Sequence, residues 1–218
     1  TRARTMSATP EPGRLVFLHG FTQTHHHWHG VAHLLARRLA AAGRPPVLVF
    51  ADLPGHGLSG ADRSGILAAA AELAVTTGPA TYVGYSMGGR VAIHAALAVD
   101  SPVERLVLIG ATPGIDDAHD RADRRRLDEQ RADRIEEIGV DAFVDEWLAA
   151  PLFTTLDPYD HGREHRRSNT AAGLAHSLRT AGTGAQPSRW HDLGSITVPT
   201  LVLAGVLDTK FTEIGHAM

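Results

Sequence analysis

The sequence predicts an α/β fold: a mostly parallel, doubly wound sheet with a block of helices inserted late in the chain. Three observations lead there. Short apolar runs alternate with helix-length stretches from Leu15 to Ile109, which is the rhythm of strand, crossover helix and parallel strand. The alternation stops after Ile109 and resumes near Thr200. Between two such elements stands Gly84-Tyr85-Ser86-Met87-Gly88, a G-x-S-x-G turn with a β-branched run before it and an alanine-rich helix after it.

The strands are read from apolar runs too short for buried helices. They are Leu15–Leu18, Pro46–Phe50, Ala80–Val83, Val103–Ile109 and Pro199–Ala204. Helices are expected over Trp28–Ala42, Gly65–Thr77 and Gly88–Val99, and from Phe211 onward. The stretch from Thr112 to about Gly194 shows helical patterns over Asp116–Glu137, Asp141–Ala150 and Ser168–Thr180, with no strong strand. The expected division is therefore a core of residues 1–111 and 195–218, with residues 112–194 forming a helical cap.

Bulk properties narrow the function. The chain has 218 residues, a net charge of −3, no cysteine and 43% hydrophobic residues. It therefore has no basic footprint for nucleic acid, no disulfides and no thiol chemistry. No apolar run reaches membrane-spanning length and the start has no signal-peptide character, so membrane insertion is not expected and a cytoplasmic location is. The composition leaves the oligomeric state open. Lys210 is the only lysine against many arginines, so a single arginine is a weak signal by itself.

The chemistry centres on Ser86. A serine on so sharp a turn is exposed at a helix N-terminus, where developing negative charge is favoured. Two backbone N–H groups could form an oxyanion hole, that of Phe21 in His19-Gly20-Phe21 and that of Met87 behind the serine. His19, and His56 in Asp52-Leu53-Pro54-Gly55-His56-Gly57, read as loop-bracing residues. His25, His26, His27 and His29 read as a polar lead into the next helix, with no metal and no cofactor expected. Asp208 follows the last strand, where it could be the acid of a Ser…Asp…His triad or the N-cap of the helix beyond. The base of such a triad should lie downstream. His216 alone lies there, too close to Asp208 and on the same expected helix, so the catalytic histidine is expected outside these 218 residues.

With these motifs in view, the chain resembles the MenH family, the 2-succinyl-6-hydroxy-2,4-cyclohexadiene-1-carboxylate synthases of menaquinone biosynthesis, within the α/β-hydrolase superfamily. The resemblance is carried by Leu18-His19-Gly20-Phe21, Asp52 to Gly57, Gly84 to Arg90, Thr112 to Ile115, Pro151-Leu152-Phe153, Gly182-Thr183-Gly184 with Gln186-Pro187, and Leu203 through Asp208, Lys210 and Phe211. It implies a C–O lyase that removes pyruvate from a substrate with three carboxylates. It also implies substrate-binding roles for Arg90, Arg124 and Arg167, with Tyr85, Trp147 and Phe153 as pocket residues. The register of the cap arginine stays open among Arg124, Arg125 and Arg126. Guanidinium groups suit bidentate carboxylate binding, and Arg90 lies one helical turn beyond Ser86. Two other readings stand beside it. One is a serine esterase or carbon–carbon hydrolase on the same scaffold; the other is a non-catalytic binding protein.

Overall fold

The computed structural model describes residues 13–62, 64–154 and 162–218. Five strands, β1 (Arg14–Leu18), β2 (Val47–Ala51), β3 (Ala80–Tyr85), β4 (Val103–Ile109) and β5 (Thr200–Leu203), form one sheet. The order is β2-β1-β3-β4-β5, and every pairing is parallel. Short apolar runs marked all five in the sequence; the inner strands β1, β3 and β4 carry the buried residues, while β2 and β5 at the edges are half-buried or exposed.

Side chains alternate across the sheet. Val16 and Leu18 of β1 pack with Tyr82, Leu106 and Leu108 beneath α2 (Ile66–Thr77) and α3 (Met87–Ala96). Phe17 and Val83 point the other way, against Trp28 and Ala32 at the start of α1 (His29–Ala41). Helices thus lie on both faces, the doubly wound arrangement.

Between β4 and β5 the described residues are helical or irregular. Helix α4 (Ala118–Leu148) is two helices joined at Gly139, whose φ of 78° and ψ of 168° break the helical run. The break falls in the gap expected between Glu137 and Asp141, because glycine adopts positive φ at little cost. The third expected cap helix is α6 (Ala171–Ala181), and a short helix that the sequence did not reveal, α5 (Arg163–Arg167), precedes it. Thr170 caps α6 by accepting a hydrogen bond from the Gly173 N–H at 3.0 Å, and side-chain capping of this kind starts a new helix. Ala132, Ile135 and Phe143 of α4 bury against Leu174, Ala175 and Leu178 of α6. This second small core lies above Phe21, and α7 (Thr209–Ala217) follows β5.

Candidate active site

The turn after β3 holds Ser86 at φ 51° and ψ −108°. Positive φ is rare for a residue with a side chain and is retained where the surroundings enforce it. The surroundings do so here. The Ser86 N–H donates to the Ile109 carbonyl at 2.9 Å, and its own carbonyl accepts from Arg90 N–H at 3.1 Å. A β-carbon on Gly88 would lie 2.1 Å from the Leu18 carbonyl oxygen, and one on Gly84 would lie 2.5 Å from backbone atoms of Gly88 and Gly89. Strand and helix therefore touch backbone to backbone, and Ser86 is left on the convex side of the turn.

Ser86 opens into a cavity of about 310 Å³. Phe21, Met87, Trp147 and Asp208 line it, together with Arg90, Arg124, Arg131 and Lys210. Neither Phe21 N–H nor Met87 N–H donates to another backbone or side-chain group among the described residues. Asp208 accepts the Phe211 N–H at 3.0 Å, so its N-cap role is realised while it also faces the cavity. No histidine is among the lining residues.

The arginines differ in what holds them. Arg90 is 7% exposed. Its guanidinium donates to the Ala181 carbonyl at 2.6 Å and to Gln186 Oε1 at 2.7 Å. Both acceptors are neutral, so its charge is not cancelled by direct contact. Burial, then the nearby Arg124, lowers its pKa to about 10, and it remains a cation at neutral pH. Arg124 donates through Nε to Asp128 Oδ1 at 2.8 Å. Of the three neighbouring arginines it is Arg124 that lines the cavity; Arg125 lines a separate surface hollow with Asp116 and Arg121, and Arg126 pairs with Asp123.

Asp128 and Arg131 are site residues that the sequence reading missed. Asp128 is almost fully buried, accepts the Gly184 N–H at 3.2 Å, and lies 3.6 Å from the Arg131 guanidinium. Arg124, Asp128 and Arg131 are spaced four and three residues apart on α4, hence on one face; that spacing was the available signal.

Three expected residues sit elsewhere. Arg167 turns outward and makes a bidentate pair with Asp145 at 2.9 and 2.8 Å. The inward arginine of α5 is Arg166, 4% exposed, which donates to Thr22 Oγ1 and lies over the Phe153 ring. A one-residue shift on a five-residue helix turns a side chain by about 100°, which accounts for the difference. Phe153 packs with Val144 and Leu148, while its neighbour Leu152 lines the cavity. Tyr85 lies on the α1 side of the sheet with Phe50 and Ile109, as the alternation along β3 requires. Trp147 meets Phe21 edge-on, ring centroids 5.5 Å apart.

Two fully buried histidines, His19 and His56, brace the loops that shape the site. His19 donates from Nδ1 to the Gly20 carbonyl at 2.8 Å and accepts the Leu53 N–H at 3.0 Å. His56 bonds the Pro54 carbonyl at 3.0 Å and accepts the Thr22 N–H at 3.3 Å. Thr22 itself has φ 65°, a second strained residue beside the cavity. Each imidazole uses one nitrogen as acceptor and is therefore neutral. Burial first, then the neighbouring His56, lowers the pKa of His19 to about 3; burial lowers His56 to about 4. Asp52 opposes both shifts. An unfolded histidine takes up its proton near 6.5, so the unfolded chain binds more protons between about 6.5 and 4. Stability should therefore fall as pH drops through that window, by about 1.4 kcal/mol per pH unit for each histidine. Urea midpoints from pH 7 to 4.5 test this; a flat profile would contradict the neutral tautomers.

The pattern of the Alpha/beta hydrolase family matches residues 15–216. The 2-succinyl-6-hydroxy-2,4-cyclohexadiene-1-carboxylate synthase of Escherichia coli O1:K1 / APEC is 33% identical over 212 residues, 92% of this chain and 79% of that protein. The chain belongs to the MenH family of α/β hydrolases. The structure of MenH from S. aureus superposes with a TM-score of 0.82 at 32% identity, covering 94% of this chain and 80% of that one. A Bacillus subtilis (strain 168) protein provisionally named as the same synthase is 39% identical over 139 residues, 62% of this chain. That match spans about half the length of the Bacillus MenH relative, 51%. Among the described residues no helix is long and apolar enough to cross a membrane.

Proposed function

We propose that this protein is a lyase that eliminates pyruvate from 2-succinyl-5-enolpyruvyl-6-hydroxy-3-cyclohexene-1-carboxylate, giving 2-succinyl-6-hydroxy-2,4-cyclohexadiene-1-carboxylate. The observation that carries the reading is the lining of the Ser86 cavity: Arg90, Arg124, Arg131 and Lys210 stand against Asp208 alone, with Asp128 behind Arg124. A wall so rich in cations suits a substrate bearing three carboxylates and has no use in hydrolysis of a neutral ester.

In this reading Ser86, relieved of its proton by a base, removes a proton from the carbon beside the succinyl carbonyl. The N–H groups of Phe21 and Met87 stabilise the enolate oxygen that forms. The electron pair moves through the ring, the ring carbon–oxygen bond breaks, and the departing enolate regains a proton to become pyruvate. Atoms balance with no external oxidant and no cofactor. Asp208 orients the base. No histidine lines the cavity among the described residues.

Arg90 gives the discriminating test. A charged hydrogen bond to a substrate carboxylate contributes about 1.5–3 kcal/mol, so Arg90→Ala should lower kcat/KM for elimination roughly ten- to a hundredfold. Hydrolysis of a small neutral ester should change much less. Equal losses on both substrates would make Arg90 a purely structural tie between α3 and the cap. Efficient ester turnover with no elimination would favour the esterase reading.

A further inference from the structure

Away from Ser86, the turn leading into α1 brings His25, His26 and His29 together, with one ring nitrogen of each within 4.8 Å of the others. None of the three lines the Ser86 cavity. Sequence alone reads them as polar lead-in residues; the geometry adds two facts. First, His25 and His29 stand four apart across a 3-10 turn that runs into α1, so they present their rings on one side. Second, His25 Nδ1 lies 2.7 Å from Asp52 Oδ2, a carboxylate almost fully buried and also held by the N–H groups of His25 and Leu58. That bond fixes the imidazole with its proton on Nδ1 and leaves Nε2 as the free lone-pair donor. An orienting carboxylate behind a histidine is the arrangement that tunes metal-bound imidazoles.

We propose that His25 Nε2, His26 and His29 form a binding site for one divalent transition-metal ion of borderline softness, Zn²⁺ above all, with Asp52 orienting His25. Three nitrogens at about 2.0–2.1 Å from zinc, with water in the fourth position, make a tetrahedral site. That geometry needs nitrogens roughly 3.4 Å apart, so the rings must close in by about an ångström. His26 is exposed and provides both the movement and the path of entry. The parallel ring of His165, 4.2 Å from His26, supports it from the cap side. The bound ion would clamp the start of α1 to the loop after β2, since Asp52 belongs to that loop.

The test is a calorimetric titration of chelator-treated protein with ZnCl₂. One ion per chain at micromolar affinity or tighter is expected. His29→Ala should weaken binding by at least about tenfold, and Asp52→Asn by about ten- to a hundredfold. His33→Ala, beside the site but outside the ligand set, should leave it unchanged. Should a variant fail to fold, Co²⁺ added to the unaltered protein supplies a second readout: visible bands of a nitrogen-rich tetrahedral site, abolished by one equivalent of Zn²⁺. Millimolar binding, several equivalent ions per chain, an affinity indifferent to His29→Ala, or a cobalt spectrum of the hydrated ion would each overturn the proposal.

Discussion

Ser86→Ala should lower pyruvate elimination by about 10²- to 10⁴-fold, the range that a positioned acid–base group contributes. The loss should fall on kcat more than on KM, because the cations of the cavity wall are untouched and ground-state binding persists. Steady-state kinetics of the two proteins decide the matter. An S86A variant that keeps its full rate would remove the serine from the mechanism.

Gly88→Ala should be strongly destabilising for the addition of a single methyl group. Its β-carbon would lie 2.1 Å from the Leu18 carbonyl oxygen and 2.4 Å from the carbonyl carbon. Leu18 cannot retreat, because it is in register with Ala51 on one side and Gly84 on the other. The expected cost is about 3 kcal/mol or more, at the upper end of overpacking, and denaturant midpoints would measure it. Gly30→Ala is the matching control. That glycine lies in α1 with nothing within 4 Å of its missing β-carbon, and helix propensity alone should yield a gain of about 0.5–1 kcal/mol. Comparable stabilities for the two variants would contradict the tight elbow.

These contrasts follow the line between what the sequence discloses and what it withholds. The five strands were legible because each is a short apolar run between helix-length stretches, and Ser86 because the turn needs small neighbours on both sides. Gly139 likewise marked the break in α4. The cationic wall was only half legible. Arg90 and Arg124 follow from spacing and resemblance. The neutral acceptors of Arg90, on Ala181 and Gln186, are 91 and 96 residues away in sequence, and no local pattern foretells them. Arg166 and Arg167 are adjacent, and only the packed orientation of α5 shows which one turns inward.

Gly139 carries a consequence of its own. A straight helix of 31 residues would run about 46 Å. The interruption turns α4 into a calliper instead. Its first arm is a charged jaw bearing Arg124 and Arg131, its second an aromatic jaw bearing Trp147, and the two close on the same space. A β-carbon at the pivot would touch nothing within 4 Å, so the constraint there is purely torsional: φ of 78° is a setting that a side-chain-bearing residue resists. Gly139 thereby sets the angle between the arm bearing Arg124 and Arg131 and the arm bearing Trp147, all three of which line the Ser86 cavity.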